Sequence, residues 1–388
     1  MKCFYTFLLF IVTSFACFSQ NYVGLYVNNF KDIIGVPSAE TELLNYAQDN
    51  GFNYLILYNL SYIQTHNFLI DNVADSLPLA NFIEDAKTNY GILQVAAVGE
   101  KNASFDKIKT YNSFYPSNPN KRFDVFNLEF EFWNNNLTGP SDYYCTTYLQ
   151  PNGYTCDQAG AFQFYNSQLA LMKAYGDQNG IITETYIGYI STSQGDLIAQ
   201  NTSRVLIHYY RSSDVYNNGD SIFQYHPDRL ENLSMNNNVT VMPIFSSRTN
   251  HMYNWLLAPH SLSQPYNTFL NGTNGFNAQP VNFKRNISLD GYVWYRYGEL
   301  LNISQQLLSF NEQSIENLMI YYNNLDKNMH FINFNTKDKI VIYNSLGQKM
   351  MSSNSKEVLH VATLEKGVYI VTVSSKNKQK LVKRVVVY

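Results

Sequence analysis

Two acids that could transfer protons and one amide stand two residues apart in one apolar segment. Asn127, Glu129 and Glu131 alternate with apolar residues within 123–133. Successive side chains of a strand point to opposite faces, so these three share one face. Two carboxyl groups side by side repel each other, which raises the pKa of one and leaves a proton donor beside an acceptor. Glycosidic bond cleavage uses such a pair.

Eight apolar runs of strand length indicate the scaffold that positions these acids. Helical segments separate them, including 39–50 and 159–177. Strands that alternate with helices favour a parallel sheet, and eight within 300 residues predict an α/β protein with a (β/α)8 TIM-like barrel over residues 20–310. The predicted strands are 23–27, 54–58, 92–98, 125–132, 184–190, 204–210, 239–245 and 289–295.

The fourth predicted strand carries the acids. Active sites of such barrels lie at the carboxyl ends of the strands, so Glu129 and Glu131 are expected at that mouth. Burying two acids is costly unless something uses or satisfies them. An alternative is therefore that both simply pair with buried Arg or Lys side chains.

The acidic segment resembles the signature of family 18 glycoside hydrolases, the chitinases and endo-β-N-acetylglucosaminidases. Their pattern is Asp-x-x-Asp-x-Asp-x-Glu, and here it is Asp124-x-x-Asn127-x-Glu129-x-Glu131. The resemblance implies that Glu131 is the general acid, that Glu129 orients the substrate's acetamido group, and that Asp124 and Asn127 belong to the substrate-binding set. Asn127 and Glu129 replace two aspartates of the pattern.

Two further strands extend the resemblance. Tyr210 stands where the family has a tyrosine that stabilises the reacting acetamido oxygen, and His208 takes the place of the family's Met. Arg211 replaces an Asp. Trp294 on the eighth strand matches the Trp at the floor of the sugar subsite, although a lone Trp in a strand is also an ordinary core residue. Tyr186 and Tyr189 on the fifth strand are candidates for lining the cleft.

The resemblance implies a retaining glycosidase that acts on N-acetylglucosamine-containing glycans. In that family the substrate's own acetamido oxygen attacks the anomeric carbon, so neither a metal nor an organic cofactor is implied. Two alternatives stay open. One is a non-catalytic relative that binds glycan, and the other is a surface protein of another role.

The character of the chain changes near residue 319. Short alternating strands and Lys-rich turns predict a small antiparallel β-sandwich over 319–388. Residues 340–349, residues 364–373 and a basic last strand resemble the type A sorting domain of the type IX secretion system. The resemblance implies a bacterium of the Bacteroidetes type, passage through the periplasm, and the secretion machinery as partner.

The amino-terminal residues 1–19 have the features of a Sec signal peptide. Lys2 precedes an apolar run over 4–12, and small residues precede a cut after Ser19. Cys17 leaves a lipoprotein as an alternative. No other run is apolar and long enough to span a membrane. We therefore expect a secreted or cell-surface protein.

Export leaves two cysteines. Cys145 and Cys156 lie eleven residues apart in a polar loop, which in an oxidising compartment predicts a disulfide, with two free thiols as the alternative. They are too few for a zinc site.

Composition narrows the function further. The net charge is −3, and from Asp326 onward eleven Lys or Arg residues face four Asp or Glu residues, so the basic excess belongs to the sorting module. This balance argues against nucleic acid as the partner. The chain has 32 Tyr and 25 Phe, which suit sugar-stacking surfaces or simply core packing.

Overall fold

The computed structural model describes residues 21–210, 227–257, 260–313, 319–324, 326–332, 339–344, 347–354, 358–374 and 380–387. The predicted signal peptide, its Cys17 and also Arg211 lie outside the described residues. The chain separates into two compact units, and the division falls between Leu300 and Leu301. The sequence places it later, between 310 and 319.

The first unit is a closed barrel of eight parallel strands. Neighbours pair in the order β6-β5-β4-β3-β2-β1-β9-β7, and β6 also pairs with β7, which closes the ring; β8 adds to β7. This arrangement confirms the predicted barrel. The strands are β1 (Tyr22–Val27), β2 (Tyr54–Leu57), β3 (Gln94–Gly99), β4 (Val125–Leu128), β5 (Ile182–Ile187), β6 (Arg204–His208), β7 (Val239–Ser246), β8 (Ile287–Leu289) and β9 (Gly291–Tyr295).

Helices connect the strands. The longest of them, α6, begins where the Asp157 side chain accepts a hydrogen bond from the Gly160 amide at 2.7 Å, which caps its first turn. The described helices are α1 (Pro37–Asp49), α2 (Leu60–His66), α3 (Leu77–Asn89), α4 (Asp106–Ser113), α5 (Asn135–Thr138), α6 (Gln158–Asn179), α7 (Thr192–Gln200), α8 (Pro227–Ser234), α9 (Tyr253–Leu256), α10 (Gln264–Asn271), α11 (Val281–Lys284) and α12 (Tyr297–Gln313).

The segment that carries the acids separates its two faces as expected. On the outer face, the Phe130 ring lies 5.2 Å from Phe164 and the Phe132 ring lies 4.7 Å from Tyr165, both on α6. The opposite face joins an interior cluster, whose members come from every strand of the ring. They are Tyr26, Tyr54, Ile56, Ala96, Val125, Tyr186, Leu206, Met242, Ile244 and Val293.

A polar layer fills the interior near the amino ends of the strands. Arg204 and Glu184 are 2% and 0% exposed, and the Arg204 Nε atom lies 2.6 Å from Glu184 Oε2. Arg204 also reaches Gln94 and Asp290, each at 3.1 Å, while the Tyr54 hydroxyl donates to Glu184 at 2.7 Å. Because each of these buried charges has several partners, their contacts offset much of the cost of removing them from water.

The second unit contains two antiparallel sheets. The three-stranded sheet has the order β10-β11-β14 and the four-stranded sheet has the order β13-β12-β15-β16. Apolar residues of both sheets form one core, which confirms the predicted antiparallel β module. The strands are β10 (Met319–Asn323), β11 (Asn328–Ile332), β12 (Lys339–Asn344), β13 (Lys349–Asn354), β14 (Val358–His360), β15 (Gly367–Ser374) and β16 (Lys380–Val387).

Two further features follow from the described residues. None of their helices combines the length and apolar character that crossing a bilayer requires. In the connection from β4 to α6, Cys145 and Cys156 are joined by a disulfide bond with a Cα–Cα distance of 5.0 Å.

Candidate functional site

Glu129 lies at the carboxyl end of β4, where the barrel opens. Its backbone amide donates to the Gly99 carbonyl at 2.9 Å, which continues the pairing with β3 for one residue beyond the strand. Its partly exposed carboxyl group accepts hydrogen bonds from the hydroxyls of Tyr58 and Tyr26. Tyr26 and Tyr58 come from the first two strands, so residues distant in sequence hold this acid.

The surroundings of Glu129 raise its pKa to about 7. Burial is the largest cause, and the charges of Glu131 and Glu100 add to it, whereas the hydrogen bonds from Tyr58 and Tyr26 oppose it. The spacing of the two acids predicts that repulsion between them raises one pKa. Desolvation outweighs that repulsion, because the barrel wall removes water from one side of the carboxyl group.

The raised pKa of Glu129 makes stability depend on pH. The folded protein keeps a proton on this group up to about pH 7, whereas the unfolded chain releases it near the ordinary value of 4.5. The free energy of unfolding should therefore fall as the pH rises through this window, by about 3 kcal/mol at most. We expect Glu129→Gln to remove that fall.

Urea unfolding at pH 5 and pH 8 measures this effect. Glu42→Gln, at an exposed glutamate of α1, is the matched control and should keep the wild-type pH dependence. An unchanged dependence in Glu129→Gln would show that the folded protein does not hold this proton.

Glu131 is positioned by a turn rather than by the strand. β4 ends at Leu128, and the Asn134 amide donates to the Glu131 carbonyl at 2.9 Å. The Asn134 side chain also donates to Glu131 Oε2 at 2.9 Å. The charge of Glu131 raises the pKa of Tyr186 and Tyr210, although burial is the larger cause in both. Glu131 thus follows the carboxyl end of β4, and its charge acts on the same two tyrosines as the charge of Glu129.

Asn127 and Asp124 lie away from the mouth, contrary to their predicted place in the substrate-binding set. Asn127 is fully buried one layer below Glu129, and its Nδ2 donates to Glu184 at 2.6 Å and to the Tyr26 hydroxyl at 3.3 Å. Asp124 precedes β4 at the opposite end of the barrel. It pairs there with Lys87 at 2.7 Å and accepts from the Val95 amide at 2.8 Å. The hydrogen bonds and ion pair of Asn127 and Asp124 therefore fix β4 to its neighbours in the barrel, and neither residue faces the mouth.

Tyr210 and His208 share the interior face at the mouth, as the spacing predicts. The Tyr210 hydroxyl donates to the Tyr186 hydroxyl at 3.2 Å, and that hydroxyl lies 2.8 Å from His208 Nδ1. The Tyr210 ring lies 4.7 Å from the ring of His251. The structure therefore brings Tyr210 and His208 into one aromatic cluster with Tyr186.

Trp294 does not form the floor of the site. It is fully buried on the outer face of β9, where its indole Nε1 donates to the Leu262 carbonyl at 2.9 Å and its ring lies 5.7 Å from Phe245. The neighbouring Tyr295 faces the interior instead, with its ring 5.4 Å from Tyr26. The predicted subsite role of Trp294 is wrong, because the parity of the strand turns the indole towards the helices.

A cavity of about 580 Å³, which we name the first cavity, opens beside Glu129. Its volume falls within the range of small-molecule sites. Glu100 on its wall accepts hydrogen bonds from Tyr143, at 2.8 Å, and from Tyr148. The lining residues are Tyr58, Asn59, Leu60, Ser61, Gln64, Thr65, Ile70, Val98, Gly99, Glu100, Ala103, Ser104, Lys107, Ile108, Glu129, Tyr143 and Tyr148.

Sequence reasoning missed Glu100, Tyr143 and Tyr148. Glu100 had a usable signal, because it lies two residues after the predicted strand 92–98 and directly after the observed β3, at the carboxyl edge of the sheet. The two tyrosines had no such signal, because they are more than 40 residues from Glu100 in the sequence and only folding brings their loop to it. The Cys145–Cys156 disulfide closes the loop that carries Tyr148 and adjoins Tyr143. Within the described ranges, His, Cys, Asp and Glu side chains form no group of three or more that would hold a metal ion.

Solved structures resemble the chain at low sequence identity. A GH18 chitinase from Pseudoalteromonas aurantia aligns with a TM-score of 0.41 and 15% identity over 74% of this chain and 99% of that one. A chitinase from Chromobacterium violaceum ATCC 12472 aligns with a TM-score of 0.36 and 10% identity over 75% of this chain and 99% of that one. The YdjI aldolase from Escherichia coli K12 aligns with a TM-score of 0.38 and 8% identity over 76% of this chain and 81% of that one. At these scores the matches carry no weight for activity.

The carboxyl-terminal unit has a clear relationship. Residues 320–388 match the family described as "Secretion system C-terminal sorting domain". No curated relative matches the chain at the sequence level. Residues 320–388 are therefore a secretion sorting domain, which indicates export through the type IX secretion system.

Proposed function

We propose that the barrel is a glycosidase that cleaves N-acetylglucosamine-containing glycans with retention of configuration. The observation that carries this proposal is the pair of acids at the mouth. Glu129 has a pKa raised to about 7 and lines the first cavity. The charge of Glu131 contributes to that raised pKa, and both charges act on Tyr186. Groups with perturbed pKa values in a concave site are typical of catalytic residues. Export to the cell exterior places the barrel where extracellular glycans occur.

The proposed reaction assigns one task to each acid. Glu131 donates its proton to the glycosidic oxygen as the bond to the anomeric carbon breaks, and the substrate's acetamido oxygen forms the new bond to that carbon. Glu129, in its ionised form, accepts a hydrogen bond from the acetamido N–H. The Tyr210 hydroxyl exchanges its hydrogen bond to Tyr186 for one to the acetamido oxygen. Glu131 then takes a proton from the water that opens the cyclic intermediate.

A glycan-binding protein without catalysis is the second candidate. Asn127 donates to Glu184 rather than reaching the mouth, and Glu129 already holds two tyrosine hydroxyls. Both departures from the family signature therefore have internal partners. A barrel adapted in this way would keep the cavity and its tyrosines while losing turnover.

Product analysis separates the two candidates. The full chain is incubated with chitin oligomers and with N-glycoproteins, and released oligosaccharides are identified by mass spectrometry. We expect turnover, with the β anomer formed first in proton NMR spectra. Binding without turnover on any of these substrates would favour the second candidate. An α anomer as first product would contradict the substrate-assisted route.

A further inference from the structure

A second cavity, of about 440 Å³, opens at the carboxyl ends of β4 and β5. It combines aromatic and amide side chains, and Tyr189 on its wall is 52% exposed. Its lining residues are Phe132, Trp133, Gln158, Tyr189, Ile190, Ser191 and Gln194. None of these residues lines the first cavity, and neither Glu129 nor Glu131 lines the second.

Trp133 links the second cavity to the aromatic cluster of the mouth. Its ring lies 5.4 Å from Tyr186 and 6.5 Å from His208, and its carbonyl accepts a hydrogen bond from the Gln158 side chain at 2.7 Å. The indole passes closely over Gly188. A Cβ atom at Gly188 would lie 2.6 Å from Trp133 Nε1, so only glycine leaves this space for the ring.

The segment that carries the acids runs from the first cavity to the second. Glu129 lines the first cavity and Trp133 lines the second, with Glu131 in the turn between them. The charges of both acids act on Tyr186, which contacts Trp133. A linear molecule that occupied both cavities would thus pass the acids with an interior bond rather than with its end.

We propose that the second cavity binds a sugar ring of the same glycan, across the scissile bond from the first cavity. Trp133 offers its indole, and Tyr189 offers the ring face opposite the Arg229 guanidinium that lies 4.4 Å from it, for the C–H surface of a pyranose. Gln158 Nε2 donates to the Trp133 carbonyl and Gln194 Oε1 accepts from the Ser191 amide. The other atoms of the two amides, Gln158 Oε1 and Gln194 Nε2, offer hydrogen bonds to the sugar hydroxyls. The barrel then cleaves within a glycan chain. This inference rests on the proposed function and specifies its substrate as an internal segment.

Chain-length kinetics test the inference. N-acetylglucosamine oligomers of increasing length are given to wild type, Trp133→Ala, Tyr189→Ala and the control Tyr62→Ala, an exposed tyrosine of α2 that lines neither cavity. We expect cleavage at interior bonds, and a loss of about 10–30-fold in kcat/KM for long oligomers in the two cavity variants. Short oligomers and the control should change little. Gly188→Ala should reproduce the loss by displacing the indole.

The outcomes separate this inference from the proposed function. If wild type cleaves only terminal bonds, and Trp133→Ala and Tyr189→Ala have the same kcat/KM for long oligomers as Tyr62→Ala, the second cavity is not a sugar site. The proposed glycosidase activity would still stand. If wild type cleaves no oligomer, the glycosidase fails, and calorimetric titration with the longest oligomer decides the cavity. Affinity lost in Trp133→Ala and Tyr189→Ala but kept in Tyr62→Ala supports the sugar site, and unchanged or undetectable affinity overturns it. Thermal unfolding of each variant shows that the comparison uses folded protein.

Discussion

Replacement of Glu131 by Gln is expected to lower kcat for oligosaccharide hydrolysis by about 10²–10⁴-fold, the usual contribution of a general acid. The amide has nearly the same shape as the acid but has no acidic proton for the leaving glycosidic oxygen. Because ground-state binding is retained, KM should change little. Steady-state rates on chitin oligomers measure both quantities.

The result for Glu131→Gln has a matched control and an informative failure. Glu42→Gln makes the same chemical change at an exposed position of α1 and should leave kcat unaltered. Turnover unaffected by Glu131→Gln would contradict its role as the acid. If Glu129→Gln then abolished turnover, the proton donor would be Glu129, whose pKa of about 7 also suits that task.

The second large effect concerns stability. Asn127→Asp restores the residue of the family signature, yet we expect it to destabilise the barrel by about 3–5 kcal/mol near pH 7. Asn127 Nδ2 donates to Glu184 Oε1 at 2.6 Å in a fully buried site. An aspartate there faces another carboxylate, so the folded state must either hold an extra proton or bear the repulsion.

The pH dependence identifies this cause. An extra proton held by the folded state of Asn127→Asp makes the penalty grow as the pH rises from 5 to 8. Urea unfolding at both pH values, with Asn120→Asp at an exposed position as control, measures it. A variant as stable as wild type at pH 8 would mean that Glu184 does not need the amide.

Much of the fold follows from local patterns. Continuous apolar runs of strand length alternate with helical segments, and this pattern requires a parallel sheet with both faces covered. The face shared by Asn127 and Glu129 follows from the period of a strand. The sandwich follows from short alternating strands and turn residues. These features depend on neighbours in the chain, so they are visible in the residues alone.

The site depended on contacts that the residues alone do not display. The predicted eighth strand divides at Asp290 into β8 and β9. β9 begins at Gly291, whose φ of 109° and close approach to the Tyr22 carbonyl leave no room for a side chain. Within β9, Val293 and Tyr295 face the interior, so strand alternation turns Trp294 outwards. β4 ends at Leu128, so a turn rather than the predicted strand positions Glu131.

The amino-acid sequence by itself determined the barrel, the sorting module and the two acids at the mouth. Only the tertiary structure decided which groups surround those acids. Tyr26 and Tyr58 meet Glu129 because barrel closure brings distant strands together, and burial by that closure is the main cause of its raised pKa. Desolvation depends on everything within several ångströms in space, and a linear pattern of residues does not contain those distances.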